Sequence, residues 1–189
     1  MTWKTIFNPF LKFDEKKLLI VGIFAFGLNI LGSYYADSIN DSIFHYSTLD
    51  ENEGILHVLK TNSLSYLLAT GVIFILAKIF NSKTRFIDIL NTIIISQIPL
   101  MIMIPVSGLS FYKKALENLS ENFNKPENIP LFDMTMVSIL GFISLILLIY
   151  SIVLYYNGFK TATNIKKWQH IVIFAFVSFL ITIISQITL

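Results

Sequence analysis

The chain has 189 residues, of which 54% are hydrophobic and only 14% charged, with a mean hydropathy of +0.69. A soluble domain carries about 25% charged residues, and a disordered chain needs low hydrophobicity, so both classes are excluded. With no Cys there is no disulfide, zinc-thiolate site, iron–sulfur cluster or thiol nucleophile, and a net charge of +2 is too small to indicate nucleic acid.

Five stretches lack Asp, Glu, Lys and Arg: 18–36, 61–77, 89–112, 134–159 and 168–189. A bilayer core of ~30 Å takes about 20 helical residues. The pattern therefore predicts an all-α, polytopic transmembrane bundle, a single membrane domain over 1–189. Its five spans fall near 18–36, 62–80, 87–109, 134–157 and 168–188. The first run is read as a retained helix rather than a signal peptide, because Tyr34 occupies the small-residue position of a cleavage site at Ala36.

Ahead of the first span, residues 1–17 interleave Trp3, Ile6, Phe7, Phe10, Leu11 and Phe13 with Lys4, Lys12, Lys16 and Lys17. This composition predicts an interfacial segment attracted to anionic lipid. Thr48 to Asn62, with Ile55, Leu56 and Leu59 on one face, reads as an interfacial helix before the second span. The third span contains Pro99 and Pro105, which predict a kink or interruption. Trp168 is placed as an interfacial anchor opening the fifth.

Basic residues set the orientation. The leader, the turn at 78–85 and the turn at 160–167 hold ten Lys and Arg; the connections on the other side hold four. The positive-inside rule then gives a cytoplasmic N-terminus and an external C-terminus. Asp37, Asp41, Asp50, Glu51, Glu53, Glu117, Glu121, Glu127 and Asp133 all fall on the external side.

Small and polar residues recur at helical spacing in three spans: Gly22, Ala25, Asn29, Gly32, Ser33 and Ala36; Ser138, Gly141, Ser144, Ser151 and Tyr155; Ala175, Ser178, Thr182, Ser185 and Gln186. They are expected to be packing faces, since a polar path needs ionisable groups at depth. Asn29 and Gln97 are the deepest strongly polar groups and must find partners within the bundle. With Pro99 and Pro105 they are candidates for helix packing or for contact with a solute.

Catalytic signals are few. Asp88, Arg85, His170, Lys166 and Lys167 gather at the predicted cytoplasmic interface, where His170 could approach Asp88. Asp133 lies across the bilayer from Asp88, too far for a paired-carboxylate mechanism. HExxH, GxSxG, GxGxxG and P-loop patterns do not occur. His45 and His57, 12 apart in an external loop, read as solvated, and no metal or cofactor is expected.

Three segments resemble the YIP1 family of five-span membrane proteins. They are Phe7-Asn8-Pro9-Phe10 before the first span; the turn Asn81-Ser82-Lys83-Thr84-Arg85-Phe86 followed by Ser96-Gln97-Ile98-Pro99-Leu100; and Tyr156-Asn157-Gly158-Phe159 near the end of the fourth. The resemblance implies a five-helix bundle with a cytoplasmic N-terminus. Eukaryotic members are linked to Golgi vesicle traffic and Rab-type GTPases, and they carry a longer cytoplasmic N-terminal region. Here only about 17 residues precede the first span, which argues against a Rab partner. The 31 Ile against 7 Ala suggest an AT-rich bacterial genome, hence a bacterial inner membrane.

The reading is a non-enzymatic protein that organises membrane or scaffolds partners. Membrane lipids, a protein partner or a second copy are its expected contacts. The alternatives are a transporter or channel subunit using Asn29, Gln97 and the prolines, and last a lipid-acting enzyme using Asp88 and His170.

Overall fold

The computed structural model describes residues 3–50 and 52–189, so Glu51 lies outside the described residues. The fold is all-α with one small hairpin. Its elements are α1 (Trp3–Phe7), α2 (Glu15–Tyr35), β1 (Ser38–Ser42), β2 (His45–Thr48), α3 (Ile55–Phe80), α4 (Phe86–Met101), α5 (Ile104–Ser107), α6 (Ser110–Glu121), α7 (Leu131–Thr163) and α8 (Trp168–Thr188). Among the described residues, α2, α3, α7 and α8 are long and apolar enough to cross a membrane; α4 is apolar but shorter.

The third charge-free run is not one helix. Helix α4 ends at Met101, two residues after Pro99, and α5 begins at Ile104 with Pro105 in its first turn. Pro99 has no N–H to donate back along α4, whereas Pro105 suits a helix start. The second span also differs. Residues 45–48 form a strand, and Ile55 to Phe80 is continuous, so the expected interfacial helix is the first part of α3.

Helix α4 is central, packed against α2, α3 and α7, and Ile89, Ile93, Thr92 and Ser96 on it are completely or almost completely buried. The stripe on α2 provides its groove: a Cβ on Gly22 would stand 2.9 Å from Ile94 Cγ2, and one on Gly32 3.3 Å from Ile104 Cγ2. Close backbone approach of this kind holds helices together where lipid supplies no hydrophobic drive. The stripe on α7 divides: Ser151 and Tyr155 are buried, but Ser138 and Gly141 are exposed. On α8 the buried face is Phe174, Ile181 and Ser185, so only Ser185 of that stripe is fully enclosed.

One end of the bundle gathers the starts of α2, α4 and α8 with the ends of α3 and α7. We call it the basic end, since it carries Lys16, Lys17, Lys78, Lys83, Arg85, Lys160, Lys166 and Lys167. The turn 81–85 closes it: Asn81 Nδ2 donates to Thr163 O (3.2 Å) and the Thr84 hydroxyl to Ala162 O (3.2 Å). These two carbonyls belong to the last turn of α7 and have no partner within the helix. Asn164 then stops α7 in the left-handed conformation, φ 52°.

No strand is evident from the sequence pattern, yet β1 and β2 pair antiparallel, with Ser38 opposite Thr48 and Ser42 opposite His45. The hairpin is folded into the bundle. Ile39, Asn40, Asp41, Ser42 and Ile43 are buried, against α3 and α8. Its turn is Ile43-Phe44, with Phe44 at φ 70°. A soluble hairpin would favour Asn-Gly there; this one carries apolar residues because the turn enters the core. Phe44 lies edge-on to Tyr155 at 5.4 Å. Tyr155 is eight residues, about 12 Å, from the basic-end terminus of α7.

Candidate functional site

Backbone at membrane depth must have its polar groups satisfied within the protein. The hairpin meets this demand through side chains of three helices, α3, α4 and α8, while α2 bonds its Tyr46 side chain. Asn62 Oδ1 accepts from Asn40 N (2.9 Å) and Gln97 Oε1 from Phe44 N (3.3 Å). Asn29 Nδ2 donates to the Tyr46 hydroxyl (2.8 Å), while Asn29 Oδ1 accepts from Asn62 Nδ2 (3.0 Å) and more weakly from Ser33 (3.4 Å). On α8, the Ser185 hydroxyl donates to Asp41 O (2.6 Å) and Gln186 Nε2 to Ser42 Oγ (3.3 Å). Asn29 and Gln97 are therefore brought together through the hairpin rather than across an open path. Asp41, expected in an external loop, is buried beside His45, whose Nδ1 lies 2.7 Å from Asp41 Oδ1. His57 meets Glu53 at 3.2 Å.

The basic end holds the second polar grouping. Arg85 precedes α4 and donates to Asp88 from Nε (3.1 Å) and Nη2 (2.8 Å), closing a bidentate pair, while Nη2 also lies 2.5 Å from Glu15 Oε2. Asp88 first, then Glu15, raise the Arg85 pKa further, so its charge is fixed. His170 is elsewhere: its ring stacks on Phe80 at 4.3 Å. The two residues of the suggested Asp88–His170 pair thus have different partners. Lys166 and Lys167 are exposed on the turn before α8. Pro99 is buried in α4 and Pro105 exposed on α5, so the prolines shape different surfaces.

A cavity of about 510 Å³ opens beside Arg85. Its walls include Asp14, Glu15, Asp88, Asn91, Gly158 and Thr161. Asn91 was not singled out by the sequence; its signal is an amide three residues after Asp88, on the same helical face. Asn91 Nδ2 donates to Glu15 O at 3.0 Å, which ties α4 to α2.

The leader forms the remaining wall. Its backbone carbonyls are held by α7: Tyr150 donates to Ile6 O (2.9 Å) and Asn157 Nδ2 to Phe7 O (2.8 Å). Asn8 Nδ2 reaches the Thr161 hydroxyl at 3.1 Å, and Phe10 packs where Gly158 has no side chain. Beneath it a second, apolar cavity of about 290 Å³ lies between α4 and α7, lined by Ile6, Ile95, Pro99, Leu147 and Leu154 among others. Phe13 lines both cavities.

Long apolar helices around buried polar anchors define an integral membrane protein. The family described as Yip1 domain matches residues 16–189, and the chain belongs to that family. No curated protein and no solved structure matches the chain. The segments 7–10, 81–86 and 156–159 all meet at the basic end. There they supply the cavity wall, the cap on α7 and the glycine gap.

Proposed function

We propose that the chain is a non-enzymatic membrane organiser of the Yip1 type, holding lipids and a protein partner in a bacterial inner membrane. The observation carrying this reading is the use made of Asn29 and Gln97. The deepest amides bind the hairpin, so the polar interior serves internal structure. Neither lines the cavities at the basic end, which counts against the transporter reading. The separate partners of Asp88 and His170 count against the enzyme reading.

In this proposal α4 and α5 together complete a fifth crossing, because α4 starts at the basic end and α7 must start at the other. The basic end is cytoplasmic by its Lys and Arg. A reporter fused after Leu189 should read as external. In-cell cross-linking should recover a stable protein partner or specific lipids. Purified protein that binds neither, and moves a small solute across liposomes, would sink the reading.

A further inference from the structure

We propose that the two stacked cavities under the leader form one binding site for a phospholipid whose headgroup ends in a primary ammonium, such as phosphatidylethanolamine. The inference concerns a ligand and stands whether or not the bundle also holds a protein partner.

The upper cavity calls for a cation. Asp14, Glu15 and Asp88 line it against a single Arg85, a formal balance of −2. Among the described residues, no three acidic or histidine side chains converge as metal ligands do. The spread of acceptors suits a group with several N–H donors instead, and an ammonium has three. Asn91 supplies an independent indication. It is 2% exposed and lines the cavity; its Nδ2 is fixed on Glu15 O, and its Oδ1 has no partner. A buried acceptor left unmatched is costly; Asn91 Oδ1 is sealed in the wall, and a small turn of its side chain towards the cavity would give it an ammonium hydrogen.

The lower cavity favours a lipid over a free amine. It is almost wholly apolar, runs along α4 and α7 towards mid-height, and shares the wall residue Phe13 with the upper one. A headgroup above and part of an acyl chain below would fill both. Lys16 and Lys17, exposed on the first turn of α2 next to Asp14 and Glu15 but outside both cavities, offer counter-charge to a phosphate at the mouth. A carboxylate-bearing or purely anionic headgroup would face the −2 cavity and be disfavoured. A trimethylammonium group has the charge but no N–H for Asn91.

The test is full-length protein reconstituted in vesicles of equal parts phosphatidylethanolamine, phosphatidylcholine and phosphatidylglycerol. It is then re-extracted and stripped in detergent, and the retained lipid is counted by mass spectrometry. The expected result is at least threefold enrichment of phosphatidylethanolamine, reduced to the bulk ratio by Asn91→Leu and by Asp14→Asn. Asp14 is exposed, so its variant reads the site even if Asn91→Leu fails to fold. Equal retention of the three lipids, preference for phosphatidylglycerol, or unchanged enrichment in Asp14→Asn would overturn the proposal. Displacement of the retained lipid by millimolar free phosphoethanolamine would identify a soluble amine as the true ligand and overturn it too.

Discussion

Gly158 of α7 faces Thr92 of α4 with no room for a methyl group between them. A Cβ at Gly158 would lie 2.6 Å from Thr92 Oγ1 and 2.9 Å from the Phe10 ring. Thr92 has little freedom to move aside, because its hydroxyl donates to Asp88 O at 2.7 Å. Gly158→Ala should therefore lower stability by about 1–3 kcal/mol through overpacking. Gly141, where an added methyl group would meet nothing within 4 Å, is the control. Gly141→Ala should be neutral or gain up to ~1 kcal/mol from helix propensity. Thermal unfolding in detergent distinguishes the two, and equal effects would refute the steric account.

Asn62 serves two partners at once, Asn40 N–H and Asn29 Oδ1. Asn62→Leu strands the buried Asn40 N–H and leaves Asn29 Oδ1 only its weaker bond from Ser33, so a loss of about 2 kcal/mol is expected. Because Asn29 belongs to the same network, the Asn29→Ala and Asn62→Leu losses should not add. A double-mutant cycle measured by unfolding checks this, and strict additivity would show that the two act separately.

Phe44 anchors the hairpin tip by its ring against Tyr155 and by its N–H to Gln97. Phe44→Ala keeps the strained positive φ and removes the ring. Hydrogen exchange at residues 42–46 should rise while the body of α7 stays protected. Unchanged exchange there would mean that the side-chain contacts do not hold the tip.

Two donors from α7 hold backbone carbonyls of the leader. Tyr150→Phe removes one hydrogen bond, about 1 kcal/mol, and Asn157→Leu removes the other. Together they should raise exchange and protease access over residues 3–11, without a comparable fall in global stability. A cooperative loss of the whole fold would instead make the leader part of the core.

Arg85 is exposed, so its ion pairs should contribute little and weaken with salt. The sign of its linkage is fixed: a raised folded pKa stabilises below the unfolded value and is lost only as pH rises through the folded one. That window lies far above neutrality, so Arg85 itself adds no pH slope near pH 7. Arg85→Gln should alter the salt dependence of unfolding more than its pH dependence, and the reverse result would contradict the assignment.

The charge-free runs located α2, α7 and α8 because lipid excludes charge from the spans themselves. They do not themselves mark the break at Ile102 and Met103, since both sides are equally apolar; Pro99 and Pro105, which flank it, are the residues that made an interruption legible. Asn29 and Gln97 were legible as groups that need partners. Their partner was not, because the hairpin lacks clear alternation and turn chemistry; Ile43-Phe44 occupies its turn and its register shifts between Ile39 and Ser42. The short uncharged run 42–49, containing Ile43, Phe44 and Tyr46, was the available sign. At the basic end Arg85 and Asp88 were visible. Asn91 was masked by the isoleucines around it, and the wall made by the leader exists only through contacts some 150 positions apart.

Those distant contacts bear on how the protein is made. Residues 3–11 leave the ribosome well ahead of the groups that hold them, because Tyr150, Asn157 and Thr161 follow 144 to 153 positions later. The leader must wait at the membrane surface while four helices enter. The pocket beneath it is then closed only after α7 has been made, with lipid already present on every side.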